Sequence, residues 1–245
     1  MAKHPITIER DYARKLNKIA KVIGTIIEHH THVQKTDGDI TGVILHAGLQ
    51  IVLKHYASSL EPWAQTVAKE MINRVDKQNA IWWTMNAKQF SKQLKEDRYQ
   101  TINGQIATQL QHDQVALIKS LPLQAGERAQ QLAIQATTEG SRASDIVGEI
   151  MRSGDVARSR AETIARTEIA KANATFTQSR AEYVGANKYI WHTMEDENVR
   201  ESHAEMDGVI CDYDNPPTLS DGDTGNPGEF VNCRCFAEPI ISNEE

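Results

Sequence analysis

The chain has 245 residues, of which 40% are hydrophobic, 24% charged and 6% aromatic, enough to bury a core of helices packed through Ala, Ile, Leu and Val in a soluble protein. Its start, MAKHPITIERDYARKL, lacks the apolar stretch of a signal peptide, no run reaches the length of a membrane span, and three cysteines do not make a disulfide framework; a reducing cytosol and no membrane partner are expected. The net charge of −6 is uneven, because residues 187–245 carry 14 Asp/Glu against Lys188, Arg200 and Arg234, a net of −11, which leaves +5 for residues 1–186.

An acidic C-terminal segment repels a phosphate backbone, so any DNA contact is expected through residues 1–186. A mixed, solvated helical surface accounts for the same charge. From Ile8 to about His30, Ile8, Tyr12, Leu16, Ile19, Ile23 and Ile26 recur at steps of three or four, the stripe of an amphipathic helix. Asp37-Gly38 breaks it, and Asp39 or Thr41 is placed to cap a second helix through about Ser58. Glu61-Pro62 opens a third, whose stripe includes Val67, Met71 and Val75. The segment IWWTMN follows, with Ile81, Trp82, Trp83 and Met85 the densest apolar cluster. Without basic residues beside it, a core or partner surface is expected in preference to base stacking.

Further helical patterns run from Ala87 to Tyr99, from Ile102 to about Ser120 and from Gln124 to about Glu139, with Leu121-Pro122 separating the last two. Gly140-Ser141 marks a turn, and Ser144 is placed to cap a short helix. Gly154-Asp155 separates that helix from a long one, Val156 to about Tyr183. After Gly185 the texture changes. KYIWHT alternates like a strand, NVRESHAEMDG reads as a short helix, VICDY as a second strand and FVNCRCFAEPII as a third. DNPPTLSDGDTGNPGE between them is a loop by composition. The expected fold class is α+β, a predominantly helical N-terminal body with a small C-terminal α+β module. The expected divisions are 1–120, a helical N-terminal region; 121–186, a helical part continuous with the C-terminal module; and 187–245, the acidic module itself.

Three constellations invite chemistry. On a strand Cys233 and Cys235 face one side, with Arg234 on the other. With His203 and Cys211 they supply four soft ligands suited to a structural tetrahedral zinc. Burial of the cysteines as small apolar side chains is the other open reading. On a helix, Asp196, Arg200 and His203 share a face by their spacing. They form either an acid–base site or an ion pair locking a strand–helix corner, and no nucleophile accompanies them. The Asp-rich loop departs from the calcium-loop pattern, with Gly225 at a ligand position and Asn232 at the twelfth. Trp191, rather than His192, is the core candidate of the first strand. No Walker A, GxGxxG, HExxH or GxSxG motif occurs, and no residue is assigned as catalytic.

In order, IARTEIAKAN, GANKYIWHTMEDENVRESHAEMDGVI, the Pro/Gly loop and PGEFVNCRC resemble, over about residues 120–240, the tailed-phage head-morphogenesis domain of phage Mu protein F-like minor head proteins. The series that carries the resemblance is Arg166-Thr167-Glu168, Trp191, Asp196, Arg200, His203, Asp207-Gly208 and Asn232-Cys233-Arg234-Cys235; Cys211 stands outside it. The resemblance implies a minor capsid protein associated with the portal protein inside the procapsid, with major capsid or scaffolding protein as further partners. It implies help in head assembly and in DNA packaging or ejection, in the host cytoplasm and then the procapsid and virion interior. The alternative is a metal-dependent nuclease or transferase-type toxin built on the C-terminal module. The few residues after Cys235 make a fused toxin domain unexpected.

Overall fold

The computed structural model describes residues 4–36, 42–86, 98–139 and 143–241. Six helices are described up to Tyr183: α1 (Ile6–Thr36), α2 (Gly42–Ser59), α3 (Glu61–Asn86), α4 (Arg98–Glu139), α5 (Ala143–Met151) and α6 (Ser153–Tyr183). Strands β1 (Lys188–His192), β2 (Ile210–Asp212) and β3 (Phe236–Ile240) come after them, with the single-turn helix α7 (Glu201–Ala204) between the first two. The fold is α+β, a helical body followed by a small antiparallel sheet. The Asp37-Gly38 break with its caps Asp39 and Thr41, most of the Ala87–Tyr99 pattern and the Gly140-Ser141 turn lie outside the described residues.

The helical stripes bury as their spacing dictates. On α1, Ile8, Tyr12, Leu16, Ile19 and Ile23 are buried, and the sixth position is Ile27 rather than Ile26. After the single three-residue step from Leu16 to Ile19, steps of four restore the 3.6-residue phase. On α3, Val67, Met71, Val75 and Trp83 are buried, while Ile81 and Met85 at the same end are exposed. Ser144 lies inside α5, which starts at Ala143, and α6 begins at Ser153, ahead of Gly154-Asp155.

One expected boundary is absent: α4 runs unbroken through Leu121-Pro122. A proline inside a helix removes the N–H that would reach the carbonyl of residue 118 and costs about 3 kcal/mol. Ile118, Leu121, Ala125, Ala129 and Ala133 are buried at helical spacing on both sides of Pro122. Their packing keeps the two halves in one helix, and Ser120 Oγ donates to the Leu117 carbonyl at 2.7 Å beside the proline.

The chain folds as two compact units, each drawn from separate stretches of sequence. One comprises Asp11–Ala68 and Asp113–Ile164. Inside it Tyr12 Oη donates to Gln114 Oε1 at 3.0 Å, and α1 meets α6 backbone to backbone. A Cβ placed on Gly154 would lie 3.1 Å from Gly24 Cα, so glycine permits that approach.

The other comprises Met1–Arg10, Lys69–His112 and Ala165–Glu245. Its sheet has the order β2-β1-β3, all pairs antiparallel, with Tyr189 opposite Cys211 on one side and Pro239 on the other. Alternation on β1 sends Tyr189 and Trp191 fully into the core, each contributing about 2–3 kcal/mol by removal from water. Trp83, Ala181, Ala186, Tyr213, Leu219, Ala237 and the three cysteines share that core. Beneath it runs a buried polar ladder between α3 and α6. Asn79 Nδ2 donates to Asn173 Oδ1 (2.9 Å) and Thr177 Oγ1 (2.8 Å), while the Arg180 guanidinium donates to Asn79 Oδ1 and to Asp76 Oδ1.

Candidate functional site

Beyond His192 the chain leaves the sheet and is pinned by Asp207-Gly208. Asp207 Oδ1 accepts from the Thr193 N–H at 2.7 Å, and Gly208, at a φ of +79°, donates its N–H to the Trp191 carbonyl at 2.8 Å. A left-handed turn of this kind favours glycine, which has no Cβ to clash. Asn198 and Val199, expected to open the helix, instead belong to a turn over residues 196–199, with Asp196 Oδ1 accepting from the Asn198 N–H at 3.0 Å. Helix starts only at Glu201, and Arg200 precedes it in an extended conformation. The Asp side chain satisfies the turn backbone directly, which competes with helix formation. Asp196 therefore pairs not with Arg200 but with Arg234, at 2.6 Å, and Arg200 donates to the Val231 carbonyl at 2.7 Å. His203 sits in α7 and is 2% exposed.

The Cys-Arg-Cys segment also departs from expectation. β3 begins at Phe236, paired with His192, so Cys233, Arg234 and Cys235 precede the strand. They have no strand partner because β1 has already ended. Asn232 holds the turn at a φ of +60° and donates its N–H to Thr167 Oγ1 on α6 at 3.0 Å. The Cys233 N–H donates to the Phe230 carbonyl (3.1 Å), and the Cys235 N–H folds back onto Cys233 Sγ (3.3 Å). That backbone hydrogen bond, rather than strand alternation, turns the two sulfurs to one side.

Both sulfurs meet the same histidine. Cys233 Sγ and Cys235 Sγ each lie 3.5 Å from His203 Nδ1, and the three atoms lie within 4.8 Å of one another. All three residues are buried. Trp191 and Phe230 pack edge-on against the imidazole, with ring centroids 5.7 and 4.9 Å away. The neighbouring Cys235 thiol holds Cys233 well below the usual thiol range, assisted by His203 and by the backbone N–H groups of Cys235 and Gly228. Cys235 is pushed up by the same hydrogen bond and by burial. Cys211 is not in this group. It faces Tyr189 across β1–β2, its Sγ is 3.8 Å from the Val209 carbonyl, and burial raises its thiol.

The trio borders a polar cleft of about 170 Å³ whose walls include Arg166, Asp196, Arg200 and Arg234. Each wall charge has a protein partner: Arg166 lies 3.5 Å from Glu9, Asp196 and Arg234 hold one another, and Arg200 is tied to Val231. Glu168 pairs with Lys171 on α6 at 3.6 Å and does not line the cleft. Two cysteines and a histidine thus floor the cleft, and charged side chains already held by protein partners wall it.

Sequence reasoning missed the residues that shape this floor. Phe230 packs on His203, and Gly228, at a φ of +93°, lets the Pro/Gly loop approach α6. A Cβ there would lie 3.0 Å from Ala174 Cβ and 3.2 Å from the Ala170 carbonyl. The loop is ordered by Ser202 Oγ donating to Asp221 Oδ2 (2.6 Å) and Tyr189 Oη donating to Asn226 Oδ1 (2.8 Å). The one available signal was the NPGE sequence, whose Pro-Gly marks a turn.

The geometry coincides with a stretch of sequence similarity. Residues 127–238 match the family model described as Phage Mu protein F like protein. That segment belongs to the Phage Mu protein F like family. Every residue of the series from Arg166 to Cys235 lies within the Mu F-like segment, whereas Asn79 and Trp83, which pack into the same unit, precede it. The chain is also 36% identical over 204 residues to a Haemophilus influenzae protein described as an uncharacterized protein. That match covers 80% of this chain and 44% of the relative, so the chain spans less than half of the relative's length. No solved structure matches the chain.

Proposed function

We propose that this chain is a minor capsid protein of a tailed phage, which associates with the portal protein inside the procapsid and assists head assembly. The observation that carries the proposal is the match of residues 127–238 to the Phage Mu protein F like family. The convergence of the motif residues supports a structural role. Asp207-Gly208 pins the end of β1, Thr167 and Asn232 join α6 to the Cys-Arg-Cys segment, and Arg166 and Arg234 in the cleft walls are held by Glu9 and Asp196. In this reading the cleft is not catalytic, and the purified chain leaves DNA, RNA and NAD unchanged. Major capsid or scaffolding protein, and DNA approached through the more basic residues 1–186, are the further partners of the proposal. No helix among the described residues is long and apolar enough to cross a membrane.

The test is a portal pull-down from an infected lysate, together with mass spectrometry of purified procapsids and virions. Recovery with portal and in either particle supports the role, and absence from both particles overturns it. A salt titration of DNA binding separates the DNA contact, because a phosphate-driven contact weakens steeply as salt rises. Binding that is absent or indifferent to salt removes DNA from the partners.

A further inference from the structure

We infer that His203, Cys233 and Cys235 hold a thiophilic divalent metal ion, zinc above others, through His203 Nδ1 and the two Sγ atoms, with Cys211 taking no part. The inference rests on geometry and is independent of the phage-head proposal. Zinc binds thiolate sulfur at about 2.3 Å and imidazole nitrogen at about 2.0–2.1 Å in a tetrahedral arrangement, which sets each sulfur–nitrogen edge near 3.5–3.6 Å. Both edges measured from His203 Nδ1 are 3.5 Å.

A pair of hydrogen bonds does not explain this arrangement as well. An imidazole nitrogen offers one in-plane direction, either a single hydrogen or a single lone pair. Two sulfurs equidistant from one Nδ1 compete for that direction, whereas an ion lying between them is reached by all three atoms. The Cys235 N–H that donates to Cys233 Sγ gives that sulfur the support a metal-bound thiolate takes from a neighbouring backbone donor. Ligation by Nδ1 requires the neutral ring with its proton on Nε2, and Nε2 is buried without a hydrogen-bond partner in the protein. The imidazole meets the Trp191 and Phe230 rings edge-on, so the far side of the ring is packed against apolar surface while Nδ1 is left to the two sulfurs. Three protein ligands leave a fourth position, and the cleft bordering the trio supplies it to water or a small anion.

The test uses the full chain purified without a polyhistidine tag. Elemental analysis is expected to find about one zinc per chain, and chelation to lower the melting temperature. X-ray absorption at the zinc edge is expected to show two sulfur neighbours and two nitrogen or oxygen neighbours. A third sulfur would bring in Cys211 and overturn the ligand set. Replacement by cobalt(II) is expected to give the thiolate-to-metal charge-transfer band of a tetrahedral site in the wild-type chain. Cys211→Ser retains the metal, while Cys233→Ser, Cys235→Ser and His203→Ala lose it. Absence of both zinc and the cobalt band from the folded wild-type chain overturns the inference without depending on any variant.

Discussion

The backbone N–H of Asn232 donates to the hydroxyl of Thr167 at 3.0 Å, joining the Cys-Arg-Cys segment to helix α6 across 65 residues of sequence. Thr167 is 4% exposed, so little water reaches its hydroxyl. Thr167→Val keeps the shape but leaves the Asn232 N–H without its acceptor, and because Asn232 itself is exposed the expected cost is that of an ordinary hydrogen bond, about 0.5–1.5 kcal/mol. Chemical denaturation of the two chains measures it, and an unchanged midpoint would show that the bond is not holding the segment.

Gly228 provides a harsher test of the same segment. Its φ of +93° strains any residue with a Cβ, and that Cβ would meet Ala174 and the Ala170 carbonyl. Gly228→Ala is expected to destabilise by at least about 1–3 kcal/mol, the range for overpacking alone. Gly222, at a φ of +91° but with open space around its Cβ position, is the control. Gly222→Ala bears the backbone strain only, so its loss should be the smaller of the two in parallel melts.

Arg180 is 1% exposed and forks between the Asn79 side chain and Asp76. Removing one partner of a buried charged network costs about 3–5 kcal/mol, and Asp76, being partly exposed, places Arg180→Ala near the lower end. Arg180→Lys should recover little, because a single ammonium cannot reproduce a planar fork. Urea denaturation curves of both variants decide the matter, and full recovery by lysine would contradict it.

Acid should loosen the N-terminal anchor. Burial alone would raise the Glu9 carboxyl, but the hydrogen bond and charge of His4, followed by Arg166, outweigh it and hold Glu9 below the usual carboxylate range. A carboxylate depressed in the folded chain contributes stability that is present above its unfolded value, near 4.5, and lost as pH falls through the lower folded value. Glu9→Gln should therefore lower stability at neutral pH, with the difference from wild type shrinking below about pH 4.5. Urea midpoints at pH 7 and on either side of that window test the sign.

How far the sequence foretold these features depended on whether a residue's partner was local. The stripe Ile8, Tyr12, Leu16, Ile19 and Ile23 and the alternation of Tyr189 and Trp191 were legible, because helix and strand periods are properties of neighbouring residues. Pro122 misled because its local cost is plain, while the burial of Leu121 and Ala125 that offsets it is tertiary. The i,i+4 spacing of Asp196 and Arg200 points to a pair on one helix face, but the partner of Asp196 is Arg234, 38 residues on. For the candidate site, the ligand types were readable and their convergence was not. Nothing in the spacing separates Cys211, held across from Tyr189, from the two cysteines that face His203.

Because both units are braided from separated stretches, the Mu F-like segment is not a cassette. Its sheet core includes Trp83, and its polar ladder needs Asn79, which lies 98 residues before Thr177. A shuffling event that moved residues 127–238 alone would strand an apolar hollow and an orphaned arginine. Recombination among related chains is therefore expected to preserve the C-terminal half of α3 alongside the matched segment, and the two should be inherited as a pair.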